Sequence, residues 1–132
     1  MTRALLPALL LAALPALAET PMTAEAFQTY TEGKTLYYGR GGDYYGVERY
    51  KPGHRVTWSF LDGRCLEGEW YQAQNGQICF VYEDDATPHC WTFFQGAQGL
   101  VARFGDDPEA IPLYEATERD DPMQCMGPDV GA

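Results

Sequence analysis

From residue 35 onward, short runs of apolar and aromatic residues alternate with clusters of Gly, Asp, Asn and Pro. The runs are TLYYG (35–39), YYGVERY (44–50), HRVTWSFL (54–61), RCLEGEWYQ (64–72), QICFVYE (77–83), HCWTFF (89–94), GLVARF (99–104) and PLYEATE (112–118). Runs of this length, rich in β-branched and aromatic residues and bounded by turn residues, predict strands. Asp62-Gly63 and Asn75-Gly76 are strong hairpin signals, and Pro52-Gly53 suits the centre of a type II turn. The pattern predicts an all-β fold: an antiparallel meander of about eight short strands, forming a small barrel or a sandwich. Closure would remove exposed sheet edges. Ahead of the strands, TAEAFQTYTE (23–32) predicts one N-terminal helix. Thr23 can cap it, Glu25 suits its first turn and Gly33 can end it, while Phe27, Tyr30 and Thr31 share a face. After Asp120 no period remains. The chain is read as a single β domain over 19–120 and an irregular tail over 121–132 tied by a disulfide.

Side chains alternate between the faces of a strand, so two-residue turns at 62–63 and 75–76 fix which residues share a face. They set Phe60 against Cys65, Trp58 against Glu67, Tyr71 against Phe80 and Gln72 against Cys79. The core face then collects Val56, Trp58, Phe60, Cys65, Tyr71, Ile78, Phe80 and Tyr82, joined by His89, Trp91 and Phe93 if Cys79 pairs with Cys90. Glu67 and Glu69 fall on the same face, where a carboxylate is costly unless paired. A bulge at Gly68 that flips the parity and brings Trp70 inward is the preferred resolution. The alternative is a polar-tipped cavity in the barrel interior, into which the two glutamates point.

The start of the chain adds a compartment. Arg3 precedes the apolar run ALLPALLLAALPALA (4–18), with small residues at Ala16 and Ala18. That is the form of a signal peptide over 1–18, cut after Ala18. The run is short of the roughly 20 residues a spanning helix needs, and Pro7 and Pro15 interrupt it. The expected product is periplasmic or secreted, with no membrane anchor after cleavage. The chain carries 19 acidic residues against 9 basic ones, a formal net charge of −10. Such a chain is repelled by nucleic acid and by anionic lipid. A basic partner or plain solubility fits better, with solubility the preferred reading of the charge; a partner, where there is one, is expected to be a basic protein or a small-molecule ligand.

Four cysteines, Cys65, Cys79, Cys90 and Cys125, suit two disulfides in an exported domain. Cys79 and Cys90 lie symmetrically in the 78–94 hairpin and are expected to pair. Cys65 falls on the opposite face from Cys79 in the register above, which leaves Cys65–Cys125. If the bulge at Gly68 weakens that argument, Cys65–Cys79 with Cys90–Cys125 is the alternative.

Candidate chemistry is sparse. Glu83, Asp84, Asp85 and His89 lack the spacing of a calcium loop or a zinc site, so no metal and no cofactor is expected; an exposed acidic turn ended by Pro88 is the preferred reading. Paired cysteines leave no thiol nucleophile, and the single serine, Ser59, lacks a nucleophile setting. Glu67 and Glu69 lie on one side of a strand, some 6–7 Å apart at the backbone, a spacing that carboxylate hydrolases use. Tyr37, Tyr38, Arg40, Tyr44 and Tyr45 cluster around GRGGDYYG. Consecutive tyrosines place one ring on each face, so part of the cluster is expected to be exposed; that tyrosine simply suits strands is the preferred reading, and a recognition surface is the alternative.

The run from Tyr44 to Phe94 resembles a group of small exported proteins of alphaproteobacteria, and through them the domain-of-unknown-function family 995. The likeness rests on Gly33-Lys34-Thr35-Leu36, on Trp58, Gly63 and Cys65, and on Ile78 to Tyr82. It implies an exported, disulfide-bonded β domain and supplies no catalytic residue. The expected function is therefore a non-catalytic ligand- or protein-binding module, one variant being an inhibitor of a basic secreted hydrolase. The alternative is a small hydrolase using Glu67 and Glu69.

Overall fold

In the computed structural model, which describes residues 19–126, eight antiparallel strands close into a barrel in simple chain order. Helix α1 (Ala24–Thr31) precedes β1 (Thr35–Arg40), β2 (Asp43–Lys51), β3 (Arg55–Ser59), β4 (Leu66–Gln72), β5 (Ile78–Tyr82), β6 (Asp85–Gly96), β7 (Gly99–Phe104) and β8 (Leu113–Glu115). The ring is completed by β8 against β1, through Tyr38↔Glu115 and Gly39↔Tyr114. The segment read as a signal peptide lies outside the described residues.

The helix forms where its caps and stripe place it. The Thr23 side chain accepts the Ala26 N–H at 3.1 Å, and Gly33 takes a φ of 82° just past the end. Phe27 is fully buried. Its ring meets Tyr50, Trp70 and Phe93 at 5.6, 5.1 and 4.5 Å between centroids. The helix thus drives one aromatic side chain into an end of the barrel and shuts it. The Met22 N–H to Phe93 O bond and the Gly33 N–H to Tyr50 O bond fasten the flanking chain there. Strand direction makes the connections β1–β2, β3–β4, β5–β6 and β7–β8 the opposite, open end.

Both hairpins beside β4 are longer than their Asp-Gly and Asn-Gly pairs suggest. After β4, Ala73 N–H donates to Gln77 O at 2.9 Å, so Gln74, Asn75 and Gly76 form a three-residue loop. Gly76 takes the left-handed position, φ 87°, that such a loop requires. Before β4, residues 60–65 all lie outside the ladder, held by Leu61 N–H to Ser59 Oγ and Arg64 N–H to Asp62 Oδ1. The register therefore moves by one: Trp58 faces Leu66, Trp70 faces Phe80 and Tyr71 faces Cys79.

That shift corrects several expectations. Trp70 is in the core, while Tyr71 and Phe60 are 43% and 54% exposed and Cys65 is outside the core. Glu67 and Glu69 point outward, as the bulge would have arranged, but β4 runs through Gly68 without one. Gly68 is glycine because a Cβ there would lie 2.5 Å from Val81 O and 2.6 Å from the Tyr82 ring.

The disulfides are Cys79–Cys90 and Cys65–Cys125. Cys79 sits directly across from Cys90, with the Cα atoms 4.0 Å apart. The face argument that excluded Cys65–Cys79 does not hold, since Cys79 faces the outward Tyr71. Distance excludes the pair instead: Cys65 precedes Tyr71 by six residues, about 20 Å of strand at roughly 3.3 Å per residue. Cys65–Cys125 closes a separation of 60 residues, for which the chain-entropy model expects about 4 kcal/mol of stabilisation.

The tail is held by more than its cysteine. Met123 packs against a small outer cluster of Tyr37, Val47 and Ala116. The Tyr37 hydroxyl bonds to Asp121, and Arg119 pairs with Asp121 while lying 4.2 Å over the Tyr37 ring.

Candidate binding cavity in the barrel

The alternation of β2 decides what the barrel contains. Gly46, Glu48 and Tyr50 point inward; Arg49, between them, points to solvent. Glu48 lies opposite Leu36 on β1 and Trp58 on β3, and is 1% exposed. The Tyr82 hydroxyl donates to its Oε1 at 2.8 Å. Its other oxygen, Oε2, is buried and has no hydrogen-bond partner among the described residues. Burial pushes the Glu48 carboxyl well above the usual carboxylate range, and the Tyr82 hydrogen bond opposes this only in part.

Glu48 lines a cavity of about 320 Å³ inside the barrel. Tyr38 and Tyr50 contribute their hydroxyls, 2.7 Å apart, and burial raises both groups above their ordinary range. Trp58, Phe80 and Phe93 supply apolar wall. Towards the open end, Tyr45 lies 5.8 Å from the Trp58 ring and 5.7 Å from that of Phe60. Trp91, His89, Asp84 and Asp85 face them across the mouth. A second hollow of about 280 Å³ continues outward between Arg40, Tyr45, His89, Trp91 and Ile111.

The tyrosine cluster is divided among three places. Tyr38 and Tyr45 are inside the barrel and Arg40 is on its rim. Tyr37 is outside but only 2% exposed, because the tail covers it; Tyr44, also outside, is 47% exposed with Arg119 5.0 Å from its ring. A bulge at Tyr38/Gly39 in the β1–β2 ladder accompanies this splitting. Glu67 and Glu69 are exposed on the outer wall, and neither lines the cavity. Glu67 is paired with Lys51 and accepts from Thr57 Oγ1 at 2.9 Å, and the Lys51 contact holds its carboxyl below the usual range.

The acidic window 83–90 also changes character. Its turn is only Glu83-Asp84, and β6 already starts at Asp85, so Pro88 lies within a strand and does not end the turn. β6 runs past the end of β7 there, since Phe104 pairs with Trp91, and the missing Pro N–H is not needed on that side. Asp85 and His89 approach at 3.8 Å on the cavity rim. Among the described residues, no three His, Cys, Asp or Glu side chains gather as a metal-ligand set, and no helix is long and apolar enough to cross a membrane.

Glu48 escaped the sequence reading. A signal was present: it is in phase with Tyr50 and Gly46, while the neighbouring Arg49 takes the phase that a solvated charge prefers. No family model, curated protein or solved structure matches this chain.

Proposed function

We propose that this chain is an exported, non-catalytic binding module whose barrel holds one small, largely apolar ligand. The observation that carries the reading is the cavity of about 320 Å³ walled by aromatic rings, with one half-satisfied carboxyl inside it. Ligand sites are typically apolar hollows of a few hundred Å³ with a few placed polar groups, and eight-stranded barrels are just wide enough for one small guest. Two disulfides suit an oxidising, extracellular-type environment. Export through the leader over 1–18, to the periplasm or beyond, belongs to the same proposal, as does the kinship with exported proteins. The hydrolase alternative draws no support from Glu67, which is engaged in an ion pair on the convex wall.

Titration with N-phenyl-1-naphthylamine, a neutral apolar dye, tests this reading. Trp58 and Trp91 line the cavity and report on occupancy. The expected result is saturable one-to-one binding that quenches tryptophan emission and is weakened at least about tenfold by Leu66→Trp, which narrows the cavity. No saturable uptake, or uptake indifferent to that substitution, refutes the proposal.

A further inference from the structure

We propose that the guest of this barrel is a small cation: an aromatic or alkyl group ending in a primary ammonium that docks on Glu48. The inference rests on the binding reading above and specifies the ligand's chemistry.

Glu48 Oε2 is the one buried side-chain polar atom without a partner among the described residues, and its side chain lines the cavity. A buried polar group left unpaired is costly, and a ligand donor that meets it removes that cost. The choice between donors follows from the charges around the cavity. Its lining residues include three carboxylic acids, Glu48, Asp84 and Asp85, together with His89, and neither Lys nor Arg. An anionic guest would find no fixed counter-charge in this cavity. A neutral alcohol could donate to Oε2 but would gain nothing from the carboxylate's charge. An ammonium gains both, and it also gains from the walls, because Tyr38, Tyr50, Tyr82, Trp58 and Phe80 offer ring faces that attract cations. The Tyr38 and Tyr50 hydroxyls, bonded to each other and to no carboxylate among the described residues, line the same cavity and offer the ammonium's other N–H groups further lone pairs.

The rest of the chain favours the same guest. Asp84 and Asp85 stand at the entrance against one cation on the rim, Arg40, and the formal net charge is −10, so a cation is drawn towards the mouth. Glu48 lies five residues along β2 from Asp43, on the side of the floor that Phe27 closes. The ammonium therefore goes in first and the apolar part fills the aromatic upper half. Burial keeps the empty carboxyl towards its neutral form; the arriving cation favours its ionised form, and the carboxyl proton leaves to solvent.

Three probes of one shape separate the possibilities: 2-phenylethylamine, 2-phenylethanol and phenylacetate, titrated calorimetrically and by tryptophan fluorescence. The amine is expected to bind at least about tenfold more tightly than the alcohol, with phenylacetate weakest. Glu48→Gln retains an acceptor for Tyr82 and should cost the amine about 10–100-fold while leaving the alcohol within about threefold. Glu48→Asp keeps the charge and should keep the order of preference. If Glu48→Gln does not fold, the ranking of the three probes on the unaltered chain decides alone. Equal or better binding of the alcohol or the acid, with the neutral dye still taken up, overturns the amine assignment and leaves the binding module standing. Failure of all three probes and of the dye overturns both.

Discussion

Glu48 is the residue at which this molecule departs most from what folding alone would choose. A carboxyl in a barrel wall, with one oxygen bonded to Tyr82 and the other without a partner among the described residues, costs stability in a way that a leucine would not. The groups that face it are the hydroxyls of Tyr38 on β1, Tyr50 on β2 and Tyr82 on β5, all of which burial keeps neutral to high pH. The cost therefore depends on pH through Glu48 itself. An unfolded glutamate loses its proton near pH 4.3. The folded one holds it to higher pH, so between those two values the native state binds more protons than the unfolded state, and stability falls as pH rises. The slope can reach about 1.4 kcal/mol per pH unit. Denaturant titrations of the unaltered chain and of Glu48→Gln from pH 4 to pH 8 should diverge, with the glutamine variant gaining relative stability as pH climbs. Parallel curves would mean that Glu48 is not buried as described. Glu67 behaves in the opposite sense. Its Lys51 partner favours the ionised form, and its position on the outer wall gives it no part in the cavity. Sequence periodicity alone could not rank these glutamates, since the faces of β4 hung on the length of two turns.

At the scale of elements, the chain's own pattern placed all eight strands and the helix, because most are short, carry aromatic or β-branched residues and are followed within a few residues by Gly, Pro or Asp. What it could not place was the register. Asp62-Gly63 and Asn75-Gly76 each mark a reversal, but a glycine in the left-handed region serves a two-residue loop and a three-residue loop equally. One residue of difference exchanged Trp70 for Tyr71 in the core and turned Glu67 and Glu69 outward. The Cys79–Cys90 pair came out as expected although its turn did not: the reversal is at Glu83-Asp84, and a register shift between Phe80 and Tyr82 brings Cys79 opposite Cys90. The helix contributes one decisive contact. Truncating Phe27 to alanine removes the ring that meets Tyr50, Trp70 and Phe93 and should cost about 3–5 kcal/mol. Chemical denaturation measures the loss, and circular dichroism should show the strands retained. A loss below about 1 kcal/mol would mean that the helix does not seal the barrel.

The whole molecule is a ring with one thin seam. β8 has three residues and joins β7 and β1 through two residue pairs on each side. Side chains reinforce it. Glu115 Oε1 accepts the Tyr30 hydroxyl at 2.7 Å and the Leu100 N–H at 3.1 Å, stitching helix, β7 and β8 together. Burial, with Glu115 alongside, pushes the Tyr30 hydroxyl up to about 12. Local opening starts where ordered pairing is least. Native-state hydrogen exchange should therefore release the amides of Leu113 to Glu115 well before those of Val56 to Trp58, by at least about tenfold in protection. Uniform protection around the ring would contradict a seam. A closed ring was one of the two arrangements the strand spacing allowed, a sandwich being the other. Interior space was weighed only as a place for Glu67 and Glu69, which lie outside it; its real lining depends on how far aromatic side chains fill a ring whose inward faces were still open to question.

Among the described residues, a ring sealed at one end by Phe27 is a cup that opens at the other. An occupant and its replacement cannot pass each other in a space of this size, so one must leave before the next can enter. Exchange is then dissociative: the rate at which one guest is swapped for another is set by departure of the first and is independent of how much competitor waits outside. Under the binding function proposed above, such a vessel would retain what it has loaded on a clock of its own, however crowded the surrounding solution becomes.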